Sequence, residues 1–234
     1  MLVHYTKFIK SQAMAVFRHC ERTNQNYENE NIDLTKTKYN YNLGPNGNQW
    51  DKMTNRLNEL QYRKQKNNIT LCSWVVTAPT NLPEEKQKEF FKIMYGFLSK
   101  KYGLENVVSA YVHKDEAGPG HMHFLYVPGT RDNKLSASQT TNRSVLKKIH
   151  DEAQTLIDKY LGHEYLLRAD DPEERAKDSV PVKTLKKALS ALETKIEEAR
   201  IEMGFNFEEM AAQKRIIENL SLEREQIKED RDKE

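Results

Sequence analysis

A chain of 234 residues with 37% hydrophobic and 31% charged side chains can build one sizeable core plus an appendage, and 8 Phe, 11 Tyr and 2 Trp separate it from disordered compositions. No stretch approaches the roughly 20 consecutive apolar residues of a spanning helix, and His4, Lys7 and Lys10 interrupt the start where a secretory signal keeps an apolar run, so no membrane span and a cytoplasmic protein are expected. The net charge of +2 hides a gradient: residues 1 to 80 hold eleven Lys/Arg against six Asp/Glu, residues 81 to 180 fifteen against sixteen, and residues 181 to 234 eleven against thirteen, so a polyanion would be drawn to the first third.

In chain order, Ser11 to Glu21 is expected to be a helix with Ala13, Val16, Phe17 and Cys20 on one face. Residues 23 to 68 are polar and Asn-rich, and a loop of that length is usually functional or disordered. Ile69 to Thr77 is dense in β-branched and aromatic residues and reads as a strand. Pro83 to Tyr102 repeats apolar residues at three and four (Phe90, Phe91, Met94, Phe97, Leu98), opens on acidic residues and stops at Gly103, as a helix does. Asn106 to His113 and His121 to Val127 form a predicted hairpin with a widened polar connection, and Asn142 to Leu161 an amphipathic helix. Cys20 and Cys72 lack any CxxC spacing, which argues against disulfides or a thiolate zinc site. The expected fold class is α+β, an antiparallel sheet covered by helices over residues 1 to 170. Residues 171 to 181 read as a linker, and 182 to 234 as a long helical tail. Its stripe Val182, Leu185, Leu189, Leu192, Ile196, Ala199 and Met203 is that of a helix folded back or of a coiled coil able to form a homodimer.

Three of seven histidines fall within eleven residues. His121 and His123 are two apart on a predicted strand and leave the same face, and His113 ends the partner strand. Three neutral imidazoles make a divalent-metal site that keeps positions open for substrate. Imidazoles suit Zn, Mn, Co or Ni, and a site open to phosphate and water also accepts Mg, with Mn or Mg favoured. In the connection, Asp115 reads as ordinary turn chemistry and Glu116 as a group acting beside the metal.

The run H-K-D-E-A-G-P-G-H-M-H from His113 to His123 resembles the H-x-D-E-x-x-P-H-x-H signature of plasmid mobilisation relaxases of the Mob/Pre type, within the HUH endonucleases. Gly120 is one extra residue, which a loop can absorb. His19-Cys20-Glu21-Arg22 and Asn40-Tyr41-Asn42-Leu43 resemble the family's H-x-E-R and N-Y-x-L elements in order and spacing. The resemblance covers roughly residues 1 to 165.

It implies an enzyme that nicks and rejoins one DNA strand at an origin of transfer by transesterification, staying attached to the 5′ phosphate. It further implies a metal on His113, His121 and His123, His19 as nucleophile, Glu116 orienting or deprotonating it, and Tyr41 as the competing nucleophile. Read from its residues alone, His19 is a surface helical histidine beside Arg18 and Arg22. Arg22, one turn on, is expected to reach a phosphate bidentately. Single-stranded or hairpin DNA is the expected partner, and Lys36, Lys38, Tyr39 and Tyr41 interleave cations with aromatic faces, with Arg56, Arg63, Lys64 and Lys66 adding charge. Two other readings are a rolling-circle replication initiator using Tyr160 or Tyr165, and a non-catalytic coiled-coil protein with a structural metal site.

Overall fold

The computed structural model describes residues 3–24 and 32–167, together with the helical residues Ser190, Ala191, Thr194, Lys195, Arg215, Glu218, Asn219 and Ser221. The chain divides into two units, Met1–Arg175 and Ala176–Glu234. The expected linker and the apolar stripe of the tail lie outside the described residues.

The first unit opens on strand β1 (Val3–Ile9), which runs into helix α1 (Lys10–Glu21). Sequence patterning misses β1 because it is an edge strand of mixed polarity, paired on one side only. Helix α1 buries Ala13, Phe17 and Cys20 and ends at Arg22, which takes a left-handed conformation with φ of 56°.

The Asn-rich region is ordered where it is described. A 3₁₀ turn (Leu34–Tyr39) leads into the two-residue strand β2 (Tyr41–Asn42) and then helix α2 (Gln49–Glu59). Asn42 Oδ1 accepts from the N–H groups of Gly44 and Ala110, both at 2.9 Å, and Leu43 N–H donates to Ala110 O at 2.9 Å. This contact is so close that a Cβ on Gly44 would stand 2.7 Å from Ala110 N, so only glycine fits. Asn48 caps α2 by accepting from Trp50 and Asp51 N–H at 2.9 and 3.1 Å. That cap, followed by Met53, Leu57 and Leu60 at helical spacing, is the signal by which the sequence could have yielded α2.

Strand β3 (Ile69–Thr77), helix α3 (Glu84–Tyr102), strands β4 (Val107–His113) and β5 (His121–Tyr126), a single turn α4 (Ala137–Thr140) and helix α5 (Arg143–Tyr160) complete the unit, close to the expected boundaries. The antiparallel sheet has the order β1-β3-β5-β4-β2, so β5 lies at its centre. Alternation then sorts the side chains. Trp74, Val76, Ala110, Val112, Met122 and Phe124 face α3 and α5 in one core, where Phe90, Phe91, Met94 and Ile157 are fully buried. Leu71 and Leu125 face α1 and α2 in the other. Each large side chain buried this way contributes about 1.5–3 kcal/mol of transfer free energy, which fixes the register because a one-residue slip would send each set of side chains to the opposite face, into a core shaped for the other set.

Candidate metal and catalytic centre

His113 stands directly opposite His121, and His123 lies two residues further along the central strand. Because Val112, Met122 and Phe124 point into the α3/α5 core, the three histidines leave from the other face, the one crossed by α1. That helix brings His19 to them. Ring centroids are 5.0 Å apart for His19–His123, 5.6 Å for His19–His113, 4.8 Å for His113–His123, 5.0 Å for His121–His123 and 5.4 Å for His113–His121.

Buried Cys20, next to His19, contributes its carbonyl. His113 Nε2 lies 2.9 Å from Cys20 O, so this nitrogen donates and carries the ring proton, which leaves the lone pair on Nδ1. His113 Nδ1 and His123 Nε2 are buried without a hydrogen-bond partner among the described residues. Burial lowers all four imidazole pKa values, that of His113 to about 4 and that of His123 well below its ordinary value, and the Arg22 charge lowers them further. Neutral rings with orphaned lone pairs suit metal ligation. Two overlapping sets of donor atoms lie within 4.8 Å of one another, His19 with His113 and His123, and Glu116 with His113 and His121. The residues fit a divalent ion.

The connection between β4 and β5 is built on an ion-pair network. Arg22 Nε and Nη2 donate to Asp115 Oδ2 and Oδ1 at 2.9 and 2.8 Å, and Nη2 also donates to Glu116 Oε1 at 2.5 Å. The Arg22 and Asp115 side chains are 1% and 0% exposed. Asp115 also accepts from Thr37 Oγ1 at 2.9 Å and Asn40 Nδ2 at 2.7 Å. Burial opposes charge on both carboxylates, but Arg22 and these donors hold them below the usual carboxylate range. Two expectations change. Asp115 is no simple turn residue: it locks the connection to the end of α1. Arg22 closes its planar fork on protein carboxylates where a phosphate was expected. Glu116 Oε1, 3.7 Å from His121 Nε2 and 3.9 Å from His113 Nδ1, borders the imidazoles.

The N-Y-x-L element has a different use from the expected one. Asn40 Oδ1 accepts from Lys114 N–H at 2.7 Å, so Asn40 binds both the backbone and the carboxylate of the connection. Tyr41 pairs with Val112 and packs on the α3/α5 core, on the sheet face away from the histidines. Burial pushes its phenol up to about 12. The geometry therefore removes Tyr41 from the centre. Tyr39 is 57% exposed with Lys38 Nζ 5.1 Å from its ring centre, and exposed Lys36 pairs with Asp33 at 3.3 Å. Asp33 N–H donates to Asp115 O at 2.7 Å, which ties this cation–aromatic segment to the histidine end of the sheet. Arg56 is elsewhere: it contacts Asn106 at 2.7 Å, Glu59 at 2.8 Å and Asn133 at 3.3 Å, beyond the opposite end of β4.

A family profile described as plasmid recombination enzyme (Mob_Pre) matches residues 1–168. A plasmid recombination enzyme of Bacillus thuringiensis is 34% identical over 152 residues, 62% of this chain and 34% of that protein. One of Lactiplantibacillus plantarum is 30% identical over 205 residues, 83% of this chain and 56% of that protein. The chain thus spans between a third and just over half the length of these curated relatives. Among solved structures, the Mn-bound MobM relaxase domain (MOBV; Mob_Pre) on plasmid pMV158 oriT DNA superposes with a TM-score of 0.65 at 22% identity, over 80% of this chain and 98% of that one. The antiparallel sheet with its helices is the same fold.

Proposed function

The chain belongs to the Mob_Pre family of plasmid recombination enzymes, and from that premise we propose that its first unit nicks and rejoins single-stranded DNA at an origin of transfer. The observation that carries the reading is the convergence of His19, from α1, on three neutral histidines of the central hairpin. In the reaction a lone pair of His19 attacks the scissile phosphorus, an N–P bond forms and the P–O3′ bond breaks; the other ring nitrogen gives up its proton and the 3′ oxygen takes one up, leaving as a hydroxyl. The energy of the broken bond is kept in the phosphoramidate, so the 3′ hydroxyl can reverse the step.

His113, His121 and His123 would hold a divalent ion, of which Mn is the favoured candidate because it is the ion in the structures of similar fold. When bound, the ion supplies Lewis acidity toward the phosphate oxygens. Cys20 O fixes the tautomer of His113, and Arg22 keeps Glu116 ionised beside the rings, where it orients them. Arg22 and Asp115 act as positioning residues. Lys36, Lys38 and Tyr39 are the candidates for gripping the unpaired strand, by charge and by stacking. No helix among the described residues is long and apolar enough to cross a membrane, and a cytoplasmic site of action belongs to the proposal.

The initiator reading loses its nucleophile, because Tyr165 packs in the α3/α5 core and Tyr160 ends α5 on that same side of the sheet.

An origin-of-transfer oligonucleotide labelled at one end tests the proposal. Mn-dependent release of the labelled fragment is expected, and His121→Ala should reduce it at least about 10²-fold, the scale seen when one electrostatic group at developing charge is removed. Far-UV circular dichroism should stay unchanged. Full metal-dependent nicking by His121→Ala overturns the site. Tyr41→Phe should nick at the parental rate within about twofold, since its hydroxyl faces the other core.

A further inference from the structure

The apolar repeat of α3 is split by the fold. Phe90, Phe91, Met94 and Leu98 are buried beneath the helix, whereas Ile93 and Phe97 lie half-buried on its flank. Between these two stands Gly96, exposed, and a Cβ built on it would meet nothing within 4 Å. No close approach within this chain therefore calls for glycine there. In the middle of a helix glycine is less stable than alanine, because it has more backbone freedom to lose.

Helix α5 faces this flank with Leu156, half-buried, and Tyr160, 56% exposed. With Ile93, Gly96 and Phe97 they floor a groove of about 870 Å³ between the two helices. It follows α3 from Lys92 to Lys101, about 13 Å at ~1.5 Å per helical residue, with the dent at Gly96 midway. The histidines leave the other face of the sheet, so an occupant of this groove would not cover them. The rim is basic. Among the described residues Lys92 and Lys100 make no ion pair, and Lys101 pairs with Glu152, the one carboxylate that lines the groove. Lys101 Nζ also lies 5.6 Å from the Phe97 ring centre, and Lys159 Nζ 5.1 Å from that of Tyr160.

Shape and charge together select the occupant. An apolar trough between two helices takes the apolar face of a third, whose anchors recur at three and four. A glycine dent admits a bulky side chain of that helix, or its backbone at close range. The unpaired lysines then meet the polar flanks of the incoming helix, which complement them when acidic. A second copy fits less well, since a symmetric pairing would set Lys92 and Lys100 of one protomer against the same lysines of its partner. We propose that the groove between α3 and α5 seats an acidic amphipathic helix of a partner protein, with a bulky apolar side chain over Gly96.

The test pans a displayed library of helical peptides of about 16 residues, roughly 24 Å of helix, on the full chain. The Gly96→Gln variant serves as counter-target, and one enriched peptide is followed by fluorescence anisotropy. Enriched sequences should repeat apolar residues at three and four and carry net negative charge. Gly96→Gln fills the dent with a good helix former, so it should weaken the peptide about tenfold or more while Tm holds or rises by up to about 4 °C. Lys92→Glu/Lys100→Glu should weaken it about tenfold or more near 0.05 M salt, and that loss should shrink to about threefold near 0.5 M, where charges are screened. Enrichment of basic or aperiodic sequences overturns the proposal, as does a peptide that neither variant weakens. A fall in the Tm of Gly96→Gln overturns it too, since the glycine would then serve this chain's own packing. Sedimentation that shows an oligomer dissociated by Gly96→Gln would identify a second copy as the occupant. Retention on vesicles of about 30% phosphatidylserine that Lys92→Glu/Lys100→Glu abolishes, with no acidic peptide enriched, would identify a membrane surface. Either result overturns the partner helix.

Discussion

His19→Ala is expected to lose covalent DNA adduct and nicking together, by at least about 10³-fold, because removing a nucleophile removes the only atom able to form the intermediate. The ordinary imidazole pKa near 6.5 already leaves the ring largely neutral at pH 7, and burial together with the Arg22 charge lowers it further in His19. The rival Tyr41 phenol is pushed up to about 12 and faces the other core. Noncovalent DNA affinity should hold within about threefold, since the ring is one contact among several. The adduct itself is diagnostic. A histidine phosphoramidate breaks in mild acid and survives alkali, whereas a tyrosine phosphodiester tolerates mild acid. Mass spectrometry that locates the DNA on a peptide containing Tyr41, with His19 unmodified, would show the assignment to be wrong.

Arg22→Gln should be the most destabilising single change at the centre. It leaves Asp115 and Glu116 ionised in a place from which water is largely excluded, and breaking a buried pair from one side costs about 3–5 kcal/mol. For a domain of this size that is a fall in Tm of roughly 6 to 20 °C, at ~2–4 °C per kcal/mol. The pH dependence separates this cause from simple loss of packing. In the parent chain the carboxylate pKa values are depressed, so their contribution is fully present above the unfolded values of 3.8 and 4.5 and is lost only as pH falls through the lower folded ones. In the variant the same groups lack their cation and take up protons more readily, which relieves the repulsion. The Tm gap should therefore be widest near pH 7 and should narrow toward pH 4. A gap independent of pH would mean that Arg22 acts through its hydrocarbon stem. The lowered histidines act separately: free of metal, they cost stability as pH falls below 6.5, with that of His113 complete only below about 4.

By itself the sequence determined what depends on neighbours along the chain. Strand alternation placed His121 and His123 on one face, with His113 across a hairpin, and the apolar spacing and end residues of α3 and α5 gave both helices nearly to their boundaries. The H-x-D-E signature and the H-x-E-R element carried the family, which the profile match over residues 1–168 bears out. Only the tertiary structure decided the remainder. Whether a tyrosine in a polar loop can attack depends on which sheet face an edge strand of two residues presents, and that follows from pairing with β4, about seventy positions later in the sequence. Whether an arginine reaches a phosphate depends on which acceptors the fold brings near, and Asp115 and Glu116 arrive from a connection that nothing local links to α1. The same holds for the basic residues of the first third, which one charge count merges. Lys36 and Lys38 lie toward the histidine end, whereas Arg63, Lys64 and Lys66 precede the far end of β3, about 26 Å off at ~3.3 Å per residue. Hydrophobic periodicity is a property of short segments, whereas ion pairing, the face a side chain occupies and the distance between charges are set by contacts remote in sequence.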